Sequence, residues 1–122
     1  MVWMYKQSTG QLSRGGTLVG IGYSGYGAGL DNPKMQGQSC VGPIPQGNYT
    51  IGPTHTPVDH LGPFALPLYA DPGNQMFGRF GFFIHGDNSA TNYTASNGCI
   101  VLELSIRQQI VTSLDTGLIV VA

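Results

Sequence analysis

Two stretches of this chain set a residue able to do nucleophilic or acid–base chemistry at one end of an apolar run. The first is Phe80-Gly81-Phe82-Phe83-Ile84-His85-Gly86-Asp87; the second, after a polar loop, is Ser96-Asn97-Gly98-Cys99-Ile100-Val101-Leu102. A thiol is mostly protonated at neutral pH and becomes a strong nucleophile when a neighbour generates or stabilises its thiolate. Histidine is the side chain whose ordinary pKa suits that role. Of three histidines, His85 follows a stiff Phe-Phe-Ile run that fixes its direction, whereas His55 and His60 lie in a proline-bounded connection and read as surface residues. Cys99 and His85 together therefore fit acyl transfer. Gly86 and Gly98 permit unusual turns and close approach to the backbone, so that peptide N–H groups near Gly98 and Cys99 can face a developing oxyanion.

Plainer readings stand beside this one. A buried cysteine next to an unrelated histidine is a common arrangement, because free cysteine is among the most buried residue types. A zinc site is not expected from one His and one Cys without a second such pair, and no cofactor is called for. Arg79 could hold a substrate carboxylate by a bidentate contact, or be a solvated arginine at a strand end. Asp87 could orient His85 as the third member of a triad, or merely turn a loop. Tyr23 and Tyr26 could line a cleft or pack beneath their own loop. Cys40 reads as a structural or unpaired thiol, although the two cysteines could also form one disulfide. Gly25-Tyr26-Gly27-Ala28-Gly29 has the look of a phosphate loop but lacks the Gly-Lys-Ser/Thr that would follow, so it is read as a tyrosine-bearing surface loop.

The elements that must position these residues are short. With 122 residues, residues 1–122 form a single domain with one modest core. Nineteen glycines and only 9% charged residues, with ample aromatic and β-branched content, indicate a loop-rich, mainly β protein. A formal charge of -1 gives no reason to expect nucleic acid as a partner. No apolar run approaches the roughly 20 residues of a membrane helix, and no export signal is visible at the N-terminus. Residues 2–6 and 16–21 read as an N-terminal hairpin closed by Ser8-Thr9-Gly10-Gln11. Residues 20–47 read as a long glycine-rich loop, and residues 41–52 as a turn built on Pro and Gly feeding a strand with alternating Tyr49 and Ile51. Residues 54–63 are a proline-containing connection, and residues 64–69 a strand that Pro67 interrupts or sends to an edge. Residues 79–85 give the strongest strand signal. Residues 103–111 form the one helix, placed just behind Cys99 so that its N-terminus would favour thiolate, and residues 118–121 close the chain as a buried strand.

The pattern His85-Gly86, then Ser96-Asn97-Gly98-Cys99-Ile100, preceded by Pro45-Gln46-Gly47-Asn48-Tyr49-Thr50-Ile51, resembles the L,D-transpeptidase catalytic domain of the YkuD type. The resemblance covers about half of the chain. It implies a β-sandwich-like fold with one short helix after the catalytic cysteine, and an enzyme that attacks the tetrapeptide stems of bacterial peptidoglycan. The thiol would take the acyl group at the L-centre of the diamino acid and expel D-alanine; water or an amine would then receive that group. Carried over by position, Cys99 is the nucleophile, His85 the base, and Ser96 with the Gly98 and Cys99 backbone a site-shaping and oxyanion element; Tyr23, Arg79, Gly86, Asp87 and Asn97 would contact substrate.

The chain departs from the family at two places, with Asn97 where members commonly have a second histidine and Val101 where many carry an arginine. With its small size, this makes it more similar to the L,D-transpeptidase-like toxins of type VI secretion. That implies synthesis in the cytoplasm, delivery by the secretion apparatus, action in the periplasm of a rival cell, and a cognate immunity protein. A cysteine endopeptidase or amidase on the same polymer, and a non-catalytic cell-wall binding module, are the alternatives.

Overall fold

The computed structural model describes residues 1–54 and 62–122. Most of the 54–63 connection, with His55 and His60, lies outside the described residues.

The chain begins as a three-stranded meander, β1 (Trp3–Lys6), β2 (Gln11–Arg14) and β3 (Thr17–Ile21), with both pairings antiparallel. The sequence pattern pairs residues 2–6 with residues 16–21; the structure inserts β2 between them. The reason is a second tight turn. Gly15 and Gly16 take φ of 58° and 81°, the pair of left-handed conformations that a two-residue hairpin needs to match strand twist. The turn at residues 7–10 therefore feeds β2 instead of ending the hairpin.

Six further strands follow: β4 (Tyr23–Ser24), β5 (Gly47–Ile51), β6 (Leu66–Ala70), β7 (Phe83–His85), β8 (Ile100–Val101) and β9 (Gly117–Val121). The helix α1 (Leu104–Ser113) lies between the last two. They form a nine-stranded sheet in the order β3-β2-β1-β9-β5-β6-β7-β8-β4. The expected mainly β class with one short helix holds, and the sheet is nearly closed. Its two edge strands, β3 and β4, are consecutive in the chain and separated by Gly22 alone, so this one segment serves both ends. At the seam backbone packs on backbone: the Gly22 N–H donates to the Gly10 carbonyl at 2.8 Å. A Cβ on Gly22 would fall 2.0 Å from the Val101 carbonyl oxygen, and one on Gly10 would fall 1.8 Å from that of Gly22.

β9 runs parallel to β1 and antiparallel to β5, tying the two ends of the chain into the centre of the sheet. Alternate residues point inward, as strand geometry demands: Trp3 and Tyr5, Tyr49 and Ile51, Leu66 and Leu68, Leu118 and Val120 are all buried. α1 adds Ile106 and Ile110, one helical turn apart, to the same core. Ile106 packs on β3 where a side chain at Gly20 would collide, the Cδ1 atom lying 2.0 Å from that virtual Cβ.

Three expectations change. Pro67 lies in an interior strand, between β5 and β7. Its neighbour Leu68 donates toward β7, to Phe82 O at 2.9 Å, so by alternation the missing donor of Pro67 falls on the β5 side, where β5 has already ended. The strand expected over residues 79–85 is only Phe83–His85, because Gly81 takes φ 79° and breaks the extended run. Finally, α1 starts at Leu104, with β8 between it and Cys99, so the thiol does not sit at the helix N-terminus.

Candidate functional site

β7 and β8 are adjacent and parallel, with Ile84 opposite Ile100 and His85 opposite Val101. Cys99 directly precedes β8, two residues before the position opposite His85. The sheet thus sets side by side the two segments that carry the residues singled out for chemistry.

Each is held from its own side. His85 is 3% exposed, and its Nδ1 lies 2.8 Å from the carbonyl oxygen of Gly86. A carbonyl only accepts, so the neutral ring carries its proton on Nδ1, and Nε2 is the basic nitrogen. Asp87 is engaged elsewhere, its Oδ1 accepting from the Tyr23 hydroxyl at 2.7 Å and from Asn88 N–H at 2.9 Å. The Tyr23 hydroxyl in turn accepts from Ala95 N–H at 3.1 Å, and its ring meets Tyr93 edge-on at 5.2 Å. Tyr23 therefore pins both ends of the polar loop 87–95; Tyr26 is exposed. A cleft of about 400 Å³ opens beside the imidazole, lined by Gly62, His85, Gly86, Asp87, Asn88, Thr94 and Ala95.

Cys99 is mostly buried, and its Sγ accepts from Phe83 N–H at 3.4 Å. Burial pushes the thiol above its ordinary pKa, opposed by the Phe83 N–H and the charge of Arg79. It rests protonated at neutral pH, and a base is required to make it a nucleophile. Cys40 is exposed, and both cysteines are free thiols.

The turn that carries Cys99 is built on two buried hydroxyls. Ser96 Oγ accepts from Gly25 N–H and Gly98 N–H, each at 3.0 Å, and donates to the Cys99 carbonyl at 2.6 Å. Ser24 Oγ donates to the Gly98 carbonyl at 2.8 Å and accepts from Ile44 N–H at 2.9 Å. The sequence marks Ser96 as site-shaping, and it does shape the turn. The Gly98 N–H expected to face an oxyanion is, in this resting geometry, donated to Ser96. Asn97 is exposed, with its carbonyl bound by Arg79.

Arg79 differs most from expectation. It is 7% exposed and donates to four main-chain carbonyls: Gln36 at 2.6 Å, Pro43 at 2.7 Å, Gly42 at 2.9 Å and Asn97 at 3.2 Å. Both terminal nitrogens of the guanidinium are thus engaged by the protein's own backbone, where the sequence allowed a substrate carboxylate or solvent. Sequence reasoning missed Ser24, hidden as the one serine of a glycine-rich run, and Arg107, also buried, which donates to the carbonyls of Leu102, Pro63 and Phe64 at 2.9–3.0 Å.

Among the described residues no group of three or more His, Cys, Asp or Glu is placed to hold a metal ion, and no helix is long and apolar enough to cross a membrane. A family model, the Tlde1 domain, matches residues 20–116. That span contains Tyr23, His85, Ser96 and Cys99 and every other residue of the site described above. No curated protein matches the chain.

Proposed function

Since this chain belongs to the Tlde1 domain family of type VI secretion effectors, we propose that it is a cysteine acyltransferase of the L,D-transpeptidase type acting on peptidoglycan tetrapeptide stems. The observation that carries the proposal is the register of β7 and β8, which pairs His85 with Val101, two residues after Cys99. His85 Nε2 takes the proton of the thiol as Sγ attacks the carbonyl at the L-centre of the diamino acid. The tetrahedral intermediate collapses to a thioester as the imidazolium returns the proton to the departing amine of D-alanine. Water or another amine, deprotonated by the same imidazole, then releases the acyl group, giving a carboxypeptidase in the first case and D-amino-acid exchange or a cross-link in the second. The cleft beside His85 is suited to the leaving and entering amines, because the base must reach both.

In this reading the protein acts in the periplasm of a target bacterium and is held in check in its producer by an immunity protein. The test is to incubate purified tetrapeptide muropeptides with the protein, with Cys99→Ala and with His85→Ala, and to read masses. Loss of one D-alanine that both variants abolish is the expected result. Separation of glycan from stem, or cleavage between earlier stem residues, would instead indicate an amidase or endopeptidase. Unaltered masses with retained sacculus binding would indicate a binding module, and full activity of His85→Ala would overturn the assigned couple.

A further inference from the structure

Arg79 is a buried cation among carbonyl oxygens. Among the described residues the ion pairs join Asp115 to Arg14 and to the chain N-terminus, and none involves Arg79. Phe82 contributes its ring face, 5.2 Å from the guanidinium carbon. Removing a guanidinium from water without a counter-ion is costly, and burial accordingly depresses its basicity. Neutral amide donors could brace a loop without that cost, so the charge itself calls for an explanation.

The titratable groups facing the guanidinium are Tyr49 from β5, Cys40 from the 36–43 loop, and Cys99. Tyr49 is held neutral: burial raises its pKa, and its hydroxyl donates to the Pro45 carbonyl at 2.7 Å. Cys40 is exposed, where water screens it. Cys99 is the mostly buried group of the three whose anion a fixed charge can favour. Contact is close on that side, since a Cβ on Gly98, the residue before the thiol, would lie 2.3 Å from Nη2 of Arg79.

We propose that Arg79 is a positioning residue with an electrostatic role. It clamps the 36–43 loop onto the Asn97-Gly98-Cys99 turn and supplies the uncompensated positive charge that stabilises the Cys99 thiolate. The proposal rests on Cys99 being the nucleophile, and it assigns to Arg79 what the helix N-terminus does not supply here. A neutral side chain at position 79 would leave the Phe83 N–H alone to offset the desolvation of the thiol.

The experiment is alkylation of Cys99 by iodoacetamide across roughly pH 6 to 10 in a Cys40→Ser background, comparing Arg79 with Arg79→Lys, Arg79→Met and Arg79→Gln. Thermal melting is recorded alongside. All three variants lose carbonyl contacts and melt lower. At pH 8 the two neutral variants are expected to react about tenfold more slowly, one unit of thiol pKa, while Arg79→Lys stays within about threefold of the parent. Equal profiles for the lysine and neutral variants, or no change in any of them, would overturn the electrostatic role. If neither neutral variant folds, Arg79→Lys decides alone: a preserved profile with lowered melting supports the proposal, and a tenfold slowing refutes it. No peptidoglycan enters this assay, so its failure is distinct from a failure of the muropeptide experiment.

Discussion

Ser96→Ala tests whether the nucleophile turn is held by hydroxyls. Ser96 is 1% exposed, and its Oγ serves two N–H donors and one carbonyl, those of Gly25, Gly98 and Cys99. Alanine fits the space but satisfies none of them. At about 1 kcal/mol for each net hydrogen bond the loss is about 3 kcal/mol, and more if the stranded groups stay dry. Against the ~5–15 kcal/mol typical of a domain this is a large fraction. In urea, with a slope of roughly 1.5 kcal/mol/M, the unfolding midpoint should fall by about 2 M. Ser24→Ala removes two bonds, one to the Gly98 carbonyl of the same turn and one from Ile44 N–H, and should cost about 2 kcal/mol. The double variant should cost less than the sum, because both hydroxyls act through Gly98 and the second change finds the turn already loosened. A shift below about 0.5 M for Ser96→Ala would refute the assignment, since three buried groups cannot lose their partner so cheaply unless others replace it.

Gly22→Ala should cost more than about 3 kcal/mol in the same titration, because its Cβ would drive into the Val101 carbonyl at the seam of the sheet. Gly16→Ala, left-handed at φ 81° but with nothing within 4 Å, should cost about 1 kcal/mol. Gly98→Ala should be worse than Gly86→Ala. The first meets the Arg79 fork at 2.3 Å and the Phe82 ring at 2.9 Å on a backbone of φ 133°, the second only the end of the Arg107 side chain at 2.7 Å; the order of urea midpoints decides. Alkaline pH should destabilise the fold. Burial raises Cys99 above its ordinary 9.0, and burial with the Asp87 hydrogen bond pushes Tyr23 from 10.0 up to about 12. Tyr5 and Tyr49 move the same way, also through burial. The folded chain then keeps protons that the unfolded chain releases, so this stability is complete below about pH 9 and falls as pH climbs toward 12. Melting temperatures measured over that range should show the decline, and Tyr23→Phe should make it shallower.

What the sequence disclosed was local chemistry on stiff segments. His85 ends the Phe82-Phe83-Ile84 run and lies in β7, and Cys99 directly precedes the Ile100-Val101-Leu102 run that opens as β8. Tyr49 and Ile51 point inward as their alternation requires, and Leu118 and Val120 do the same in β9. Harder to see were contacts made across long stretches of chain. Ser24 belongs to a two-residue strand whose existence depends on β8, some seventy-five residues later, and nothing in the local pattern marks it. Arg79 looks like a strand-end cation as long as Gly81 is given no weight. A left-handed glycine at that point turns Phe80 outward, 91% exposed, and Arg79 inward. The missed β2 has the same origin, for its pairing depends on two adjacent glycines whose effect is conformational and leaves no hydrophobic signature.

The two glycines beside the reactive residues carry the largest change of meaning. Gly86 and Gly98 suggested room for a substrate to approach the backbone. In the folded chain that room is already filled, by Arg107 at Gly86 and by Arg79 at Gly98. Each arginine is buried, and together they bind seven carbonyl contacts drawn from the segments around β7 and β8. His85 in a strand of three residues, and Cys99 just before a strand of two, have little ladder hydrogen bonding to keep them in place. Rigid planar forks, one beside the imidazole and one beside the thiol, supply from the flanks the precision that longer strands would otherwise provide. The glycines are then required by the arginines: a side chain at either would displace the brace and loosen the residue next to it.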